Sequence, residues 1–312
     1  MKAVIFNKKK SFEKLSYTDV ANPVWKENEI LVEIHAASIN AADYRMMQMG
    51  FPPKSKIFGA DVSGVVKSVG KDVEKFKPGD CVVGDLSDYG FGGFAEYAAA
   101  PDKVFVHKPE EISFENAAAL PLAGITALQA FCHKNDFQIG QQVLIVGCSG
   151  GVGTFAVQIA KYYNMTVTGV CSSRNVEQTQ LLGADYVVDY NKEDFTQLNR
   201  TYDLILAING NYSLRAYRRL LNPNGRYIMV GGSLQQIFKS IFFGWLMSLG
   251  SRKMGILVAK SKRDDLEFII KLAREGIIKP IIDKCFDLNE TNAAVRYIEE
   301  QHAHGKVIIK IK

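Results

Sequence analysis

The sequence is poor in cysteine and has no cysteine pattern typical of a metal site or a disulfide framework. Five cysteines are scattered over 312 residues, and no two of them form a CxxC pair. Such sparse use fits a reducing compartment. Residues 1–6 (Met-Lys-Ala-Val-Ile-Phe) are too short and too quickly followed by polar residues to be a signal peptide, and they are typical of a first strand. We therefore expect a cytoplasmic protein.

Long apolar runs are also missing. The most apolar window, residues 237–249, is interrupted by Lys239 and is shorter than the roughly 20 residues that a membrane-spanning helix needs. Two interpretations of this window stay open. It is a helix packed under a loop or against another subunit, or it is an apolar lid over the substrate or a face that touches a membrane. In either case we expect no stable membrane insertion.

Positive charge is neither high nor concentrated. The net charge is +5 and the lysines are scattered, so nucleic-acid binding has little electrostatic support. The hydrophobic and charged fractions, 47% and 23%, are those of a globular protein. The length is sufficient for two domains that each have a sizeable core.

A glycine-rich turn stands out in residues 143–154 (Val-Leu-Ile-Val-Gly-Cys-Ser-Gly-Gly-Val-Gly-Thr). A short β-branched run leads through this turn into an amphipathic helix, whose unpaired N–H groups and positive dipole end favour an anion. Glycines let a pyrophosphate approach the backbone. The spacing departs from G-x-G-x-x-G, and a simple strand-to-helix turn is the alternative. The expected cofactor contacts here are Gly147, Ser149, Gly150, Gly151, Val152 and Gly153.

The next predicted strand ends in polar residues that suit a phosphate. Residues 166–170 form this strand, and Cys-Ser-Ser-Arg-Asn follows at 171–175. Enzymes that use NAD place an acidic residue at this strand end, and none stands here. Ser172, Ser173 and Arg174 instead offer hydroxyls and a guanidinium to the 2′-phosphate of NADPH. The alternative is an ordinary polar turn. We predict NADPH as the cofactor.

The order of predicted elements indicates an α/β protein with two domains. Residues 1–122 are rich in strands, whereas strands and helices alternate over 123–264, which predicts a doubly wound parallel sheet. Predicted strands there are 143–146, 166–170, 186–189, 203–208 and 226–230, with a helix near 151–163. Helices near 264–275 and 290–301 and a last strand at 306–311 follow. We place that strand in the first domain, which about 265–312 would complete.

Short motifs over nearly the whole chain resemble one enzyme superfamily. They occupy residues 38–43, 59–66, 69–70, 92–97, 120–127, 147–153, 182–185, 189–190, 225–232 and 305–306. On these motifs the chain resembles the medium-chain dehydrogenase/reductase superfamily, in its zinc-independent quinone oxidoreductase-like branch. The resemblance implies a GroES-like catalytic domain, a Rossmann NADPH-binding domain and a homodimer. It also implies cofactor contacts at Thr126, Tyr190, Gly231, Gly232, Ser233 and Lys306.

The positions that bind catalytic zinc in zinc-dependent relatives carry other residues. Asn40 stands where the first motif has Cys, and Gly59-Ala60-Asp61 stands where the second has Gly-His-Glu. Zinc needs three or four convergent ligands, so we expect no metal. Without a Lewis acid, hydride transfer requires an acceptor that stabilises its own charge. The expected substrate is therefore a quinone or an α,β-unsaturated carbonyl compound.

The remaining candidates concern the reacting end of the substrate. Asn40 and Tyr44 are the expected catalytic residues, because an amide and a phenol can both donate to a developing enolate oxygen. Asp43 and Asp61 are expected to hold the loop or a buried polar network. Cys148 is either a small turn residue or a redox-sensitive one. Two alternative functions stay open: reduction of activated aldehydes, and a non-catalytic NADPH-binding scaffold.

Overall fold

The structure is a computed structural model that describes residues 1–7, 15–132, 139–209, 212–232, 248, 250–301 and 303–312. Ser233 and the apolar window 237–249, apart from Ser248, lie outside the described residues. The chain divides into two compact units. The first comprises Met1–Ile125 and Lys260–Lys312, and the second comprises Thr126–Ala259.

The strands and helices follow one another in an α/β order. The strands are β1 (Lys2–Phe6), β2 (Leu15–Asp19), β3 (Glu29–Ile39), β4 (Asp61–Val69), β5 (Cys81–Asp85), β6 (Tyr97–Pro101), β7 (Phe105–His107), β8 (Gln142–Val146), β9 (Thr166–Cys171), β10 (Tyr186–Asp189), β11 (Tyr202–Ala207), β12 (Leu221–Met229), β13 (Lys253–Ile256), β14 (Ile282–Asp287) and β15 (Lys306–Lys310). The α-helices are α1 (Ala41–Met49), α2 (Phe114–Ala118), α3 (Pro121–Cys132), α4 (Gly151–Tyr162), α5 (Val176–Leu181), α6 (Leu214–Arg219), α7 (Arg263–Arg274) and α8 (Thr291–Gln301).

The first unit is built around one mainly antiparallel sheet in the order β14-β15-β3-β4-β5-β7. Strand β3 is long because it serves two partners along one edge: residues 29–33 pair with β6, and residues 36–39 pair with β15. Its other edge pairs with β4. The C-terminal strand therefore joins the first sheet, as the sequence predicted. The core beneath it contains Ile34, Phe58 and Phe94, all fully buried.

Helix α1 begins directly where β3 ends, and this junction positions the polar residues of the first unit. Asn40 is the N-cap residue with extended backbone angles. The Asp43 carboxylate accepts a hydrogen bond from the backbone N–H of Asn40 at 2.8 Å and another from Gly59 at 3.0 Å. Asp43 thereby ties the first turn of α1 to the residues that precede β4. This is the loop-holding role that the sequence predicted for it.

The second unit contains a six-stranded parallel sheet in the order β10-β9-β8-β11-β12-β13. Renumbered within the unit, this is 3-2-1-4-5-6, the order of a Rossmann fold. The order reverses between β8 and β11, and ligands of such sheets bind outside the carboxyl ends of the strands at this point. The doubly wound α/β fold predicted from the sequence is confirmed.

Candidate functional site

The glycine turn connects β8 to α4, and two of its positions require glycine. One requires it for its backbone angle, and the other because a side chain would have no space. Gly147 has φ +84°, in the left-handed region that favours glycine. A Cβ on Gly153 would lie 2.6 Å from the carbonyl carbon of Cys148 and would also meet the Gly147 carbonyl oxygen. Helix α4 therefore packs directly on the backbone of the turn that precedes it.

The first turn of α4 has no side-chain cap. Gly150 is its N-cap residue, and within the part of the chain that the structure describes it provides no side-chain cap hydrogen bond. The N–H groups of Gly151, Val152 and Gly153 thus meet the geometry required of an anion-binding helix end. The predicted contacts from Gly147 to Gly153 are brought together here because they are consecutive.

Asn175, which no sequence pattern marked as a candidate, links the glycine turn to the end of β9. This nearly buried amide donates from Nδ2 to Ser149 Oγ at 2.9 Å and to Ser172 Oγ at 3.1 Å. Since each serine oxygen accepts from Asn175, each hydroxyl hydrogen is left to point elsewhere. Two of the predicted phosphate contacts are therefore held as donors by one amide.

A carboxylate lies closer to the predicted 2′-phosphate position than the sequence suggested. Asp189 ends β10 and is the register partner of Cys171. Its hydrogen bond with the Ser173 side chain lowers the pKa of Asp189 below its ordinary value. The Lys192 ammonium stands 3.6 Å from Asp189 Oδ2 and offsets this charge. The negative charge of Asp189 beside Ser173 is therefore partly balanced by the Lys192 ammonium.

The other predicted contacts at this end are at the surface. The Arg174 side chain is exposed, as is Tyr190, at 51% of its surface. The backbone N–H of Tyr190 donates to the Cys171 carbonyl at 3.0 Å, which holds the backbone of Tyr190 beside the end of β9. Ser173 Oγ also accepts a hydrogen bond from Asn191 Nδ2 at 3.2 Å.

The residues predicted for the nicotinamide end are divided between α3 and the end of β12. Thr126 is half-buried in α3. Gly231 follows β12, and a Cβ there would lie 2.6 Å from the Ile208 carbonyl oxygen beyond β11. Gly232 has φ +131°. Both glycines follow the carboxyl end of β12, and Gly147 follows the carboxyl end of β8. All three therefore lie at the same edge of the parallel sheet.

A buried polar cluster in the first unit surrounds the Asp61 carboxylate. Asp61 Oδ2 accepts from Ser38 Oγ at 2.8 Å, from Asn40 Nδ2 at 2.9 Å and from Lys306 Nζ at 3.3 Å. Its Oδ1 accepts from the backbone N–H of Leu122 at 2.9 Å. Lys306 also donates to Asn40 Oδ1 at 2.5 Å. Asp61 therefore holds a buried polar network, as predicted, and Lys306 belongs to that network.

Two further carboxyl groups of this unit have raised pKa values. Burial raises the pKa of Asp43 to about 7, against the two backbone hydrogen bonds that it accepts. Burial, together with the charge of Asp61, also raises the pKa of Asp85 to about 7. Asp85 is the register partner of Asp61 on β5, and none of the described residues forms a hydrogen bond with its Oδ2. The Asp85 carboxyl group therefore takes up a proton at a higher pH than an ordinary aspartate does.

Tyr44 lies in the first turn of α1, four residues after the N-cap residue Asn40. Its ring is partly buried against the core of the first unit. The Arg45 guanidinium lies 5.9 Å from the ring centroid. Among the described residues, none forms a hydrogen bond with the Tyr44 hydroxyl.

Comparisons with known proteins agree with this architecture. Residues 26–110 match the family described as "alcohol dehydrogenase GroES-like domain", and residues 182–309 match "zinc-binding dehydrogenase". A chloroplastic quinone oxidoreductase, QR1, of Triphysaria versicolor is 32% identical over 310 residues, covering 95% of this chain and 94% of the relative. An NADPH-dependent alkenal/one oxidoreductase of Arabidopsis thaliana is 30% identical, covering 94% of this chain and 74% of the relative.

Among solved structures, the quinone oxidoreductase from Coxiella burnetii superimposes with a TM-score of 0.90 at 29% identity, covering 100% of this chain and 99% of that one. The chain belongs to the medium-chain dehydrogenase/reductase superfamily, in its quinone oxidoreductase-like branch. It is therefore a member of an oxidoreductase family with a GroES-like domain and a Rossmann-like sheet. Within the part of the chain that the structure describes, none of the helices has both the length and the apolar composition that a membrane span requires.

One of the matching families is named for zinc, but the side chains here do not fit that metal. The position of a zinc-binding histidine is Ala60, which has no donor atom. The side chains of Asn40 and Asp61 instead contact the Lys306 ammonium, a cation that is buried with them. Among the described residues, no three His, Cys, Asp or Glu side chains are grouped so that they could hold a metal ion.

Proposed function

We propose that the protein is a zinc-independent, NADPH-dependent reductase of quinones or α,β-unsaturated carbonyl compounds. The observation that carries this proposal is the Asn40–Asp61–Lys306 cluster, in which a buried ammonium binds residues of the two motifs that hold catalytic zinc in zinc-dependent relatives. The named activities of the two similar proteins, a quinone oxidoreductase and an alkenal/one oxidoreductase, support it. In this proposal, residues 123–264 form the NADPH-binding domain, and residues 1–122 with about 265–312 form the catalytic domain.

When bound, NADPH supplies a hydride, and the protein supplies contacts, orientation and donors. The N–H groups at the start of α4 take the pyrophosphate, and Ser149 contributes a hydroxyl. Ser172, Ser173 and Arg174 take the 2′-phosphate, with Tyr190 beside it. We assign the nicotinamide end to Thr126 and the turn of Gly231, Gly232 and Ser233, following the family resemblance.

The substrate oxygen gains negative charge as the hydride arrives. Asn40 and Tyr44 donate hydrogen bonds to this oxygen in the proposed mechanism, which stabilises the enolate or hydroquinone anion. Protonation then comes from Tyr44 or from solvent. A ketone without a conjugated double bond would not stabilise the negative charge on its oxygen sufficiently without a Lewis acid. Quinones and enones are therefore the favoured acceptors.

The activity is tested with chelator-treated protein, by following the absorbance of reduced nicotinamide with a quinone, a 2-alkenal and a saturated aldehyde. We expect turnover of the quinone or the alkenal that the chelator does not change. Turnover of the saturated aldehyde alone, or only after zinc is restored, would favour the alcohol dehydrogenase-like alternative. Tight NADPH binding without turnover of any acceptor would favour the scaffold.

The choice of NADPH is tested separately by Arg174→Ala. We expect a weaker affinity for NADPH, by about tenfold for loss of a charge-assisted phosphate contact, and no change for NADH. Arg215→Ala, at an exposed position on α6, is the control. Equal weakening for both cofactors would contradict the assignment of Arg174 to the 2′-phosphate.

We also propose a homodimer, by the family resemblance, and a cytoplasmic location, from the cysteine usage. Light scattering of the purified chain tests the first, and a monomeric mass would contradict it. Cell fractionation tests the second, and recovery in an organelle fraction would contradict it.

A further inference from the structure

The Lys306 ammonium is buried in a place that the sequence did not predict. Lys306 is 3% exposed, and its Nζ donates to Asn40 Oδ1 at 2.5 Å and contacts Asp61 Oδ2 at 3.3 Å. The Ile39 carbonyl oxygen lies 3.5 Å away. Strand β15 delivers this lysine because it pairs with β3, whose last residue directly precedes Asn40. The cation is therefore fixed by the sheet itself.

These partners define the orientation of the Asn40 amide. An ammonium can only donate hydrogen bonds, so the Asn40 atom that faces Lys306 must be the oxygen. A carboxylate can only accept, so the atom that faces Asp61 must be the nitrogen. Rotating the amide by half a turn would place two donors together and two acceptors together. One of the two hydrogens on Nδ2 is donated to Asp61, and none of the described residues accepts the other.

We propose that Lys306 is a positioning residue that, with Asp61, locks the Asn40 amide so that its second N–H donates to the substrate oxygen. This inference rests on the proposed function for the identity of that oxygen. The ammonium also polarises the amide by bonding its oxygen, which makes the opposite N–H a stronger donor. An oriented donor stabilises an oxyanion without reorganising when the charge appears.

This role predicts a different kinetic signature from direct cofactor binding, which the family resemblance implied for Lys306. If Lys306 acts through Asn40, its loss lowers kcat and leaves the dissociation constant of NADPH within about twofold. If it binds the cofactor, the dissociation constant rises while the rate at saturating cofactor is little changed. The two roles are therefore separable by measuring both quantities on the same variant.

The test compares two substitutions. Lys306→Met removes the charge and keeps the length, but it leaves the Asp61 charge buried without its cation, which destabilises the fold. The double variant Lys306→Met with Asp61→Asn removes both charges and should recover thermal stability. We expect kcat in the double variant to stay about 10- to 100-fold below wild type. Lys310→Met, at an exposed position on the same strand, should retain full activity.

Recovery of kcat together with stability in the double variant would overturn the proposal, because Lys306 would then be merely structural. A second test adds Asn40→Ala. Since Lys306 acts through Asn40, adding the double substitution to Asn40→Ala should lower kcat by less than threefold more. Multiplication of the two effects would contradict the proposed pathway through Asn40.

A readout independent of turnover separates this inference from the proposed function. Nitrogen-15 NMR identifies the Asn40 carboxamide as the signal lost in Asn40→Ala. In wild type we expect two well-separated, exchange-protected amide protons, and in the double variant we expect them to converge and exchange faster. An unprotected carboxamide in wild type would overturn the positioning role. A protected carboxamide in a protein that reduces neither quinones nor enones would leave the positioning intact and contradict the proposed function alone.

Discussion

Replacing Gly153 by alanine should destabilise the second unit. The added Cβ would lie 2.6 Å from the Cys148 carbonyl carbon and 2.7 Å from its Cα, and it would also collide with the Gly147 carbonyl oxygen. These are backbone atoms and cannot rotate away, so the turn or α4 must shift. Overpacking of this kind costs about 1–3 kcal/mol. The helix propensity of alanine recovers at most about 1 kcal/mol.

The net loss should therefore be about 1–2 kcal/mol, which lowers the melting temperature by roughly 2–8 °C. Gly150→Ala is the matched control, because the nearest atom to its added Cβ is the Gly147 oxygen at 3.8 Å. Its backbone angles, φ −79° and ψ 176°, are allowed for any residue. We expect its stability to stay within about 0.5 kcal/mol of wild type, while its methyl group weakens NADPH binding.

Thermal denaturation and NADPH titration of both variants check this prediction. The expected result is a lower melting temperature for Gly153→Ala alone and weaker NADPH binding for both. An unchanged melting temperature for Gly153→Ala would refute the close approach of α4 to the turn. Unchanged NADPH binding by Gly150→Ala would refute the placement of the pyrophosphate there.

Other predictions concern buried polar side chains. Asn175→Ala should weaken NADPH binding about fivefold, because about 1 kcal/mol of orientation is lost at Ser149 and Ser172; unchanged affinity in a titration would contradict this. Asp85→Asn should stabilise the protein above pH 7 and not at pH 4. Since the pKa of Asp85 is raised in the folded state from 3.8 to about 7, wild-type stability falls as pH rises through this window, by at most about 4 kcal/mol. Melting curves of both proteins from pH 4 to 8 should diverge, and parallel curves would contradict the raised pKa.

Local patterns were sufficient to predict most of the second unit. The strand at 143–146 and the helix near 151–163 are β8 and α4, within one residue at each end. The strand predicted at 226–230 begins five residues after the observed start of β12. Asn222-Pro223-Asn224-Gly225 is typical of a turn, yet Leu221 pairs with Tyr202 before the register shifts. A strand that tolerates such an irregularity cannot be recognised from composition.

Contacts between distant parts of the chain explain what the sequence could not predict. Lys306 is separated from Asn40 by 266 residues, and only the pairing of β15 with β3 shows that their side chains meet. Likewise, Asp189 is beside Ser173 only because β10 is in register with β9. Residue types identified the candidates in the polar turn, but the burial that orients Asn175 depends on the fold.

The most direct test of the proposed chemistry is to locate the transferred hydride. The chelator-treated protein is supplied with a 2-alkenal and with NADPH that carries deuterium at the reactive carbon of the nicotinamide, and the product is analysed by NMR and mass spectrometry. We predict deuterium at the β-carbon of a saturated aldehyde, because the carbonyl oxygen takes up the charge as an enolate. Deuterium on the former carbonyl carbon of an allylic alcohol would contradict the account.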